Sequence, residues 1–475
     1  MTRENPPPSA APSRLKCLLA ALSPVVAFAV GMAAVLMPAL WNGFALVFFD
    51  SGGYVRRVLE MELTAGRSIF YGLFLWGGSL GWWNFYGPVL LQTLACVWLI
   101  HLMLRCHQLS TGPWPTAVIS IGLSLITGIG WCTGQLLPDA LLPLVVLALW
   151  LLAVCRQRLS KLEQCGLTGI ALLGLLSHMS ALALAVGLLL VIVLLRCIVF
   201  SCRSSLPIRV LPPLAVVAAA LLLMPLLHLF LVGKAVYTPG GPVYIFGRLA
   251  QAGIAQLWLA EHCPVPGIKL CDLQDRIPHN GDEFLWGERS AFRELGEWSG
   301  AADAELGYLV KMCLKAYPMA VAWSALQATG EQMVMVKTGD QLTEIHNDTR
   351  DVFTHLLPSR VATLFNAARQ QQGGISQSFL DGVNRVHVPL AHLSVVCLLL
   401  VIVWGLRCRR YDLAAAALYV FLALLGNAFI CGALSNPHDR YQSRLVWLAP
   451  LVVAMAVMAW WRARKKDLSS PGVAP

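Results

Sequence analysis

Residues 165–199 read CGLTGIALLGLLSHMSALALAVGLLLVIVLLRCIV. The run is apolar apart from the group Ser177-His178-Met179-Ser180 and the charge of Arg196. A bilayer core of ~30 Å takes about 20 apolar residues per helix. The spacing therefore predicts two membrane helices, 165–177 and 179–199, with a break at Ser177-His178. Similar runs recur at 17–41, 88–105, 114–132, 136–155, 210–232, 389–406, 412–434 and 445–461. The chain has 475 residues, 57% apolar and only 13% charged, whereas a soluble domain carries ~25% charge. These numbers exclude a disordered chain, a coiled coil, a collagen and a nucleic-acid-binding domain. They predict an all-α polytopic membrane protein of about ten transmembrane helices.

The net charge of +10 is a topology signal. With the N-terminus cytoplasmic, the cytoplasmic segments hold seventeen Lys/Arg, among them Arg156, Arg158, Arg407, Arg409 and Arg462, and the short outer loops hold five. This is the positive-inside bias, and it requires no nucleic-acid partner. The divisions that follow are a cytoplasmic tail 1–16, a membrane module 17–232 with a first outer loop 42–87, an outer domain 233–388, membrane helices 389–461, and a cytoplasmic tail 462–475. The first span is too long for a signal-peptide apolar region and reads as an uncleaved anchor. The Pro-rich start and the residues from Asp467 read as disordered ends. The outer domain carries 13 basic and 16 acidic residues and mainly helical patterns, such as 302–317 and 318–335. Within it Cys263 and Cys271, eight apart, suit a disulfide in an oxidising compartment, which leaves Cys313 as a free buried thiol. Clustered Cys/His metal spacing, P-loops and internal repeats are absent. The sequon Asn347-Asp348-Thr349 reads as a chance occurrence.

Charged groups beside an apolar core are costly and point to function. Three polar stretches share the outer side. The first runs from Asp50 through Tyr54, Arg56, Arg57, Glu60 and Glu62 to Arg67. The second is Pro138-Asp139. The third is Pro437-His438-Asp439-Arg440-Tyr441-Gln442-Ser443-Arg444. His178 joins them if the helix breaks there. Arg56, Arg57, Glu60 and Glu62 fit the polar face of an interfacial helix. Asp139 suits either a site or a helix N-terminal cap. Asp282 and Glu283 fit a solvated acidic turn. Arg440 and Arg444 are suited to bidentate phosphate binding.

Asp50 and Tyr54, then Gly66-Arg67-Ser68-Ile69-Phe70-Tyr71-Gly72-Leu73-Phe74-Leu75, then Pro88-Val89-Leu90-Leu91-Gln92 resemble the start of the GT-C glycosyltransferases, membrane enzymes that take sugars from polyprenyl-linked donors. Pro138-Asp139 is similar to a second acidic position on an outer loop of some members. The likeness covers roughly 15–232, the seven-helix module of that fold. The stretches 261–264, 282–286 and 437–444 resemble a group of bacterial membrane proteins of unassigned activity, which implies an inner membrane with a periplasmic insert.

The resemblance implies an inverting transfer from a polyprenyl-phosphate-linked sugar to an envelope glycan, lipid or protein. Asp50 would be the general base, with Asp139 second. Arg440, Arg444 and Arg67 would bind the departing phosphate, with His178, His438, Asp439 and Tyr54 in support. No cofactor is required; a divalent metal is compatible, since some relatives use one. Membrane lipids would be the remaining partners. Two other classes stay open: a transporter or flippase of a lipid-linked envelope intermediate, and a non-enzymatic assembly protein.

Overall fold

The computed structural model describes residues 14–61, 66–110, 112–201, 206–233, 235–237 and 240–469. Residues 1–13 and 470–475 of the expected disordered ends, and also Glu62 and Arg203, lie outside the described residues. Among the described residues the chain is all-helical, with 78% of them in helix. The principal helices are α1 Arg14–Asn42, α2 Ser51–Glu60, α3 Ile69–Gly78, α4 Tyr86–Cys106, α5 Trp114–Ile126, α6 Leu142–Val154, α7 Lys161–Ser177, α8 Met179–Ser201 and α9 Leu211–Val232. They continue with α10 Gly241–Gln251, α11 Gly281–Trp286, α12 Gly300–Ala316, α13 Pro318–Val334, α14 Gln377–Arg407, α15 Tyr411–Leu434, α16 Asp439–Val446 and α17 Leu448–Ser469.

Among the described residues, seven helices are long and apolar enough to cross a membrane: Leu22–Asn42, Tyr86–Cys106, Met179–Ile198, Leu211–Leu231, Gln377–Arg407, Tyr411–Leu434 and Asp439–Lys465. The chain is thus a multi-pass membrane protein by length and composition. The other three expected spans fall on shorter helices, α5, α6 and α7. Their sequences explain the difference. Thr127 turns extended (φ −142°, ψ 166°) and stops α5. Pro138 opens a single 3₁₀ turn ahead of α6. A capping box of Ser160 and Glu163 starts α7, satisfying two backbone donors reciprocally. His178 (φ −148°, ψ 125°) ends it, which is the break read from the sequence.

Boundaries differ elsewhere. The helix expected from residue 389 begins at Gln377 and carries Pro389 inside it. Arg462–Lys465 and Asp467, assigned to a tail, continue α17 to Ser469; Arg and Lys are good helix formers. Arg57, expected on a polar helix face, is buried at 1% exposure, because α2 is covered by both α3 and residues 348–356. Arg56 does pair with Glu60, at 3.5 Å.

The segment 233–388 contributes to two cores. Residues 243–313 build their own, around Phe246, Trp258, Phe284, Phe292 and Leu306. The Cys263–Cys271 disulfide, Cα–Cα 5.5 Å, edges that core, and Cys313 is a buried free thiol within it. Residues 336–368 instead join the main bundle: Phe353 and Phe365 pack with Phe44 and Phe85. The sequon ties the two regions. Asn347 Nδ2 donates to the Phe49 carbonyl at 3.0 Å, and Thr349 Oγ1 accepts from the Gly52 N–H at 3.1 Å. A side chain at Gly52 would meet the Thr349 backbone at 2.6 Å.

Candidate functional site

A backbone pairing sets the register of the two candidate acids. Leu46 forms an isolated parallel bridge with Gln135. Leu46 N donates to the Gly134 carbonyl and Leu136 N to the Leu46 carbonyl, each at 2.9 Å. Ser51 Oγ adds a bond to the Leu136 carbonyl at 3.0 Å. Asp50 and Asp139 each follow their bridge residue by four positions and so emerge together. Asp50 stands at the N-cap position of α2 but makes no side-chain cap bond there, and Asp139 lies within the first turn of the 138–141 helix, where Leu137 is the N-cap residue. Each carboxylate faces guanidiniums instead.

Asp50 Oδ1 accepts from Arg67 Nη2 at 2.6 Å, and its Oδ2 lies 3.8 Å from Arg440 Nη1. Arg440 Nε is 3.6 Å from Asp139 Oδ2, and Arg444 Nη1 donates to Asp139 Oδ1. His178 Nε2 stands 3.7 Å from the same oxygen. Its Nδ1 accepts from the Ser180 N–H at 3.2 Å, so the hydrogen is on Nε2 and the ring is neutral. Two carboxylates, three guanidiniums and one neutral imidazole thus form one chain of contacts with a surplus positive charge.

The members differ in access. The side chains of Asp50, Arg67 and Arg440 are 26%, 17% and 17% exposed, against 5% for Asp139 and 1% for Arg444. Arg444 Nη2 is also occupied, by Asn427 Oδ1 at 3.1 Å, Ser180 Oγ at 3.2 Å and Cys431 Sγ at 3.3 Å. Its terminal nitrogens are committed inside the protein, so it anchors Asp139 and is not placed to hold a ligand. Asp139 in turn fixes Arg440. Arg440 is clamped between rings as well, 4.1 Å from the Phe48 centroid and 5.0 Å from that of Tyr441. A cation held this way costs little reorganisation when charge develops beside it.

His438 and Asp439 find their partners outside this chain of contacts. His438 Nε2 is 3.1 Å from Asp282 Oδ2 and its Nδ1 is 3.9 Å from Asp340 Oδ2. Asp439 Oδ1 accepts from the Lys337 N–H at 2.8 Å, and Asp340 accepts from the Arg440 N–H at 3.1 Å. These bonds fasten the 437–444 run to residues 337–340. Glu283 is exposed, as a solvated turn requires, but Asp282, with its side chain 39% exposed, has partners as well: besides His438 it accepts from Asn436 Nδ2 at 2.9 Å. Burial would raise its pKa, but the His438 hydrogen bond and charge, with Asn436, hold it below the usual value.

No protein-family model, curated protein or solved structure matches the chain.

Tyr54 is buried beside Asp50 and Arg67, 6.0 Å from the guanidinium. Burial, with Asp50 adding, pushes its phenol well up, and Arg67 opposes. Burial would lower Arg67, but Asp50, Tyr54 and Tyr244 hold it above its ordinary value. Tyr244 went unnoticed in the sequence. It comes from α10, and its hydroxyl lies 2.7 Å from where a Cβ on Gly66 would stand. Burial pushes its phenol up to about 12. Gly66 (φ +69°) thus serves twice, in a left-handed turn that favours glycine and as room for Tyr244. Asn427, Ser180, Cys431 and Asp340 were likewise missed. Among the described residues no group of three His, Cys, Asp or Glu could hold a metal ion. Asp50 and Asp139 already face guanidiniums, a donor set that does not fit a divalent cation.

Proposed function

We propose that the chain is an integral membrane glycosyltransferase of GT-C type. It would move a sugar from a polyprenyl-phosphate donor to an envelope glycan, lipid or protein on the outer, periplasmic side of a bacterial inner membrane. The reading keeps the ten-span topology, with α5, α6 and α7 as short crossings, both ends cytoplasmic and 233–388 mostly outside. One observation carries the proposal. A partly exposed carboxylate, Asp50, stands beside two partly exposed guanidiniums, Arg67 and Arg440, at one end of the bundle.

Transfer needs that pairing. The acceptor hydroxyl attacks the anomeric carbon, its proton passes to Asp50 Oδ2, and the bond from that carbon to the phosphate oxygen breaks with inversion. General-base help of this kind is worth typically ~10²–10⁴-fold. The departing lipid phosphate gains negative charge, which Arg440 and Arg67 stabilise more in the transition state than in the ground state. Arg444 and Asp139 hold Arg440 in place, and neutral His178 supports Asp139.

The test is incubation of the purified protein with labelled polyprenyl-phosphate sugars and an envelope extract. Label should move to the extract with wild type and not with Asp50→Asn. Equal transfer by both would remove the base assignment. Movement of intact donor across proteoliposomes without transfer would favour a flippase, and neither activity would favour an assembly role.

A further inference from the structure

We infer that helix α13, in the middle of the segment expected to be water-facing, lies against the acyl chains of the bilayer. Its buried face is set by Ala328, Thr329 and Gln332. That face packs on α15, where a side chain on Gly432 would stand 2.5 Å from the Ala328 carbonyl oxygen. Small residues let two helix backbones approach this closely. The opposite face carries Met319, Trp323, Leu326 and Val334, which are 80%, 61%, 62% and 59% exposed. At 100° per residue these four, with Gly330 between them, fall on one stripe. Such a stripe is anomalous in water, where contiguous apolar surface of this kind marks an interaction site.

Continuity names the occupant. The Val334 carbonyl accepts from His392 Nε2 on α14 at 3.1 Å. α14 is one of the seven long apolar helices, and just beyond His392 it exposes Leu393, Val396 and Leu400 at 57%, 57% and 64%. The α13 stripe therefore runs into the apolar surface that a spanning helix presents to lipid. Gln332 on the buried side exchanges hydrogen bonds with the His438 backbone, 2.7 and 2.9 Å, two residues before Arg440. Lipid contact on one face of α13 would hold the charged cluster at the membrane boundary.

The inference does not depend on glycosyl transfer, and its test needs no substrate. Benzoylphenylalanine would replace Trp323, Leu326, Val396 or Glu288, one at a time, in the full chain. Each variant would be reconstituted in phosphatidylethanolamine–phosphatidylglycerol nanodiscs, irradiated and analysed by mass spectrometry. Only variants that elute as wild type on size exclusion would be scored, which makes the two stripe positions independent tests. Phospholipid adducts at 323 or 326 should match those at 396 and exceed those at exposed Glu288 by about tenfold, as hydrocarbon contact requires. Adducts at 396 without adducts at 323 and 326 would overturn the inference. A chain-to-chain crosslink at 323 or 326 would overturn it in favour of a second copy.

Discussion

Replacing Asp139 by Asn should damage the fold, whereas the same change at Asp50 should not. Asp139 is 5% exposed and faces Arg444, at 1%, as well as Arg440 and His178. Taking the charge off one member of a buried pair leaves the other uncompensated, at a cost of about 3–5 kcal/mol. The unfolding entropy of 475 residues, at ~2.1 cal/mol/K each, is roughly 1 kcal/mol/K. Asp139→Asn should therefore lower the unfolding midpoint in detergent by about 3–5 °C. The Asp50–Arg67 pair is partly exposed, and such a pair is worth about 1 kcal/mol or less. Asp50→Asn should thus shift the midpoint by about 1 °C at most. A cycle of Asp139→Asn with Arg444→Gln should show coupling of about 0.5–3 kcal/mol. Differential scanning fluorimetry, with monodispersity checked at each step, reads all of these. Equal midpoints for wild type and Asp139→Asn would refute the anchoring role. A loss at Asp50 as large as that at Asp139 would refute the division between a holding acid and a working one.

Three further outcomes follow from named contacts. Gly432→Ala puts a methyl against the Ala328 carbonyl and should cost about 1–3 kcal/mol by overpacking, seen as an unfolding midpoint about 1–3 °C lower; an unchanged midpoint would contradict the close approach. Cys263→Ser should destabilise the 243–313 core by about 2–3 kcal/mol, as expected for a short disulfide loop, and thiol labelling of denatured wild type should find these two cysteines blocked until reduction; free thiols there would contradict an oxidising location. Asp282 has a depressed pKa, so its contribution is present above the ordinary carboxylate value of ~3.9 and lost as pH falls through the lower folded value. Hydrogen exchange at 281–286, corrected for intrinsic rate, should keep that contribution from pH 7 to 5, and a loss in this window on titrating Asp282 by carboxyl NMR would contradict the sign.

Helical class and the seven long apolar helices were legible because hydropathy over 20 residues integrates a strong signal. The break at His178 was legible too, because a polar group interrupts an otherwise apolar run at Ser177-His178. Shorter features were not. α3 is apolar but only ten residues long, below the length that marks a crossing, and its start depends on Ser68, whose hydroxyl both caps α3 and bonds the Leu176 carbonyl at 2.7 Å. α13 mixes Gln327 and Glu331 with its apolar stripe, so average hydropathy hides its exposed face. At the site, charged residues were visible because charge is rare in this chain. Tyr244, Asn427 and Cys431 were not, being common residue types whose roles come only from distant contacts. Nor could the sequence rank Arg440 and Arg444: both belong to one run, and only the surrounding helices leave the first partly open and enclose the second.

In the proposed transferase, Arg67 and Arg440 hold a lipid phosphate beside Asp50. Native mass spectrometry of the detergent-solubilised protein with polyprenyl phosphate tests it most directly. Wild type and Asp50→Asn should bind comparably, while Arg440→Ala and Arg67→Ala should each weaken binding by about tenfold or more, as loss of a charge-assisted phosphate contact predicts. Undiminished binding in both arginine variants would contradict the account.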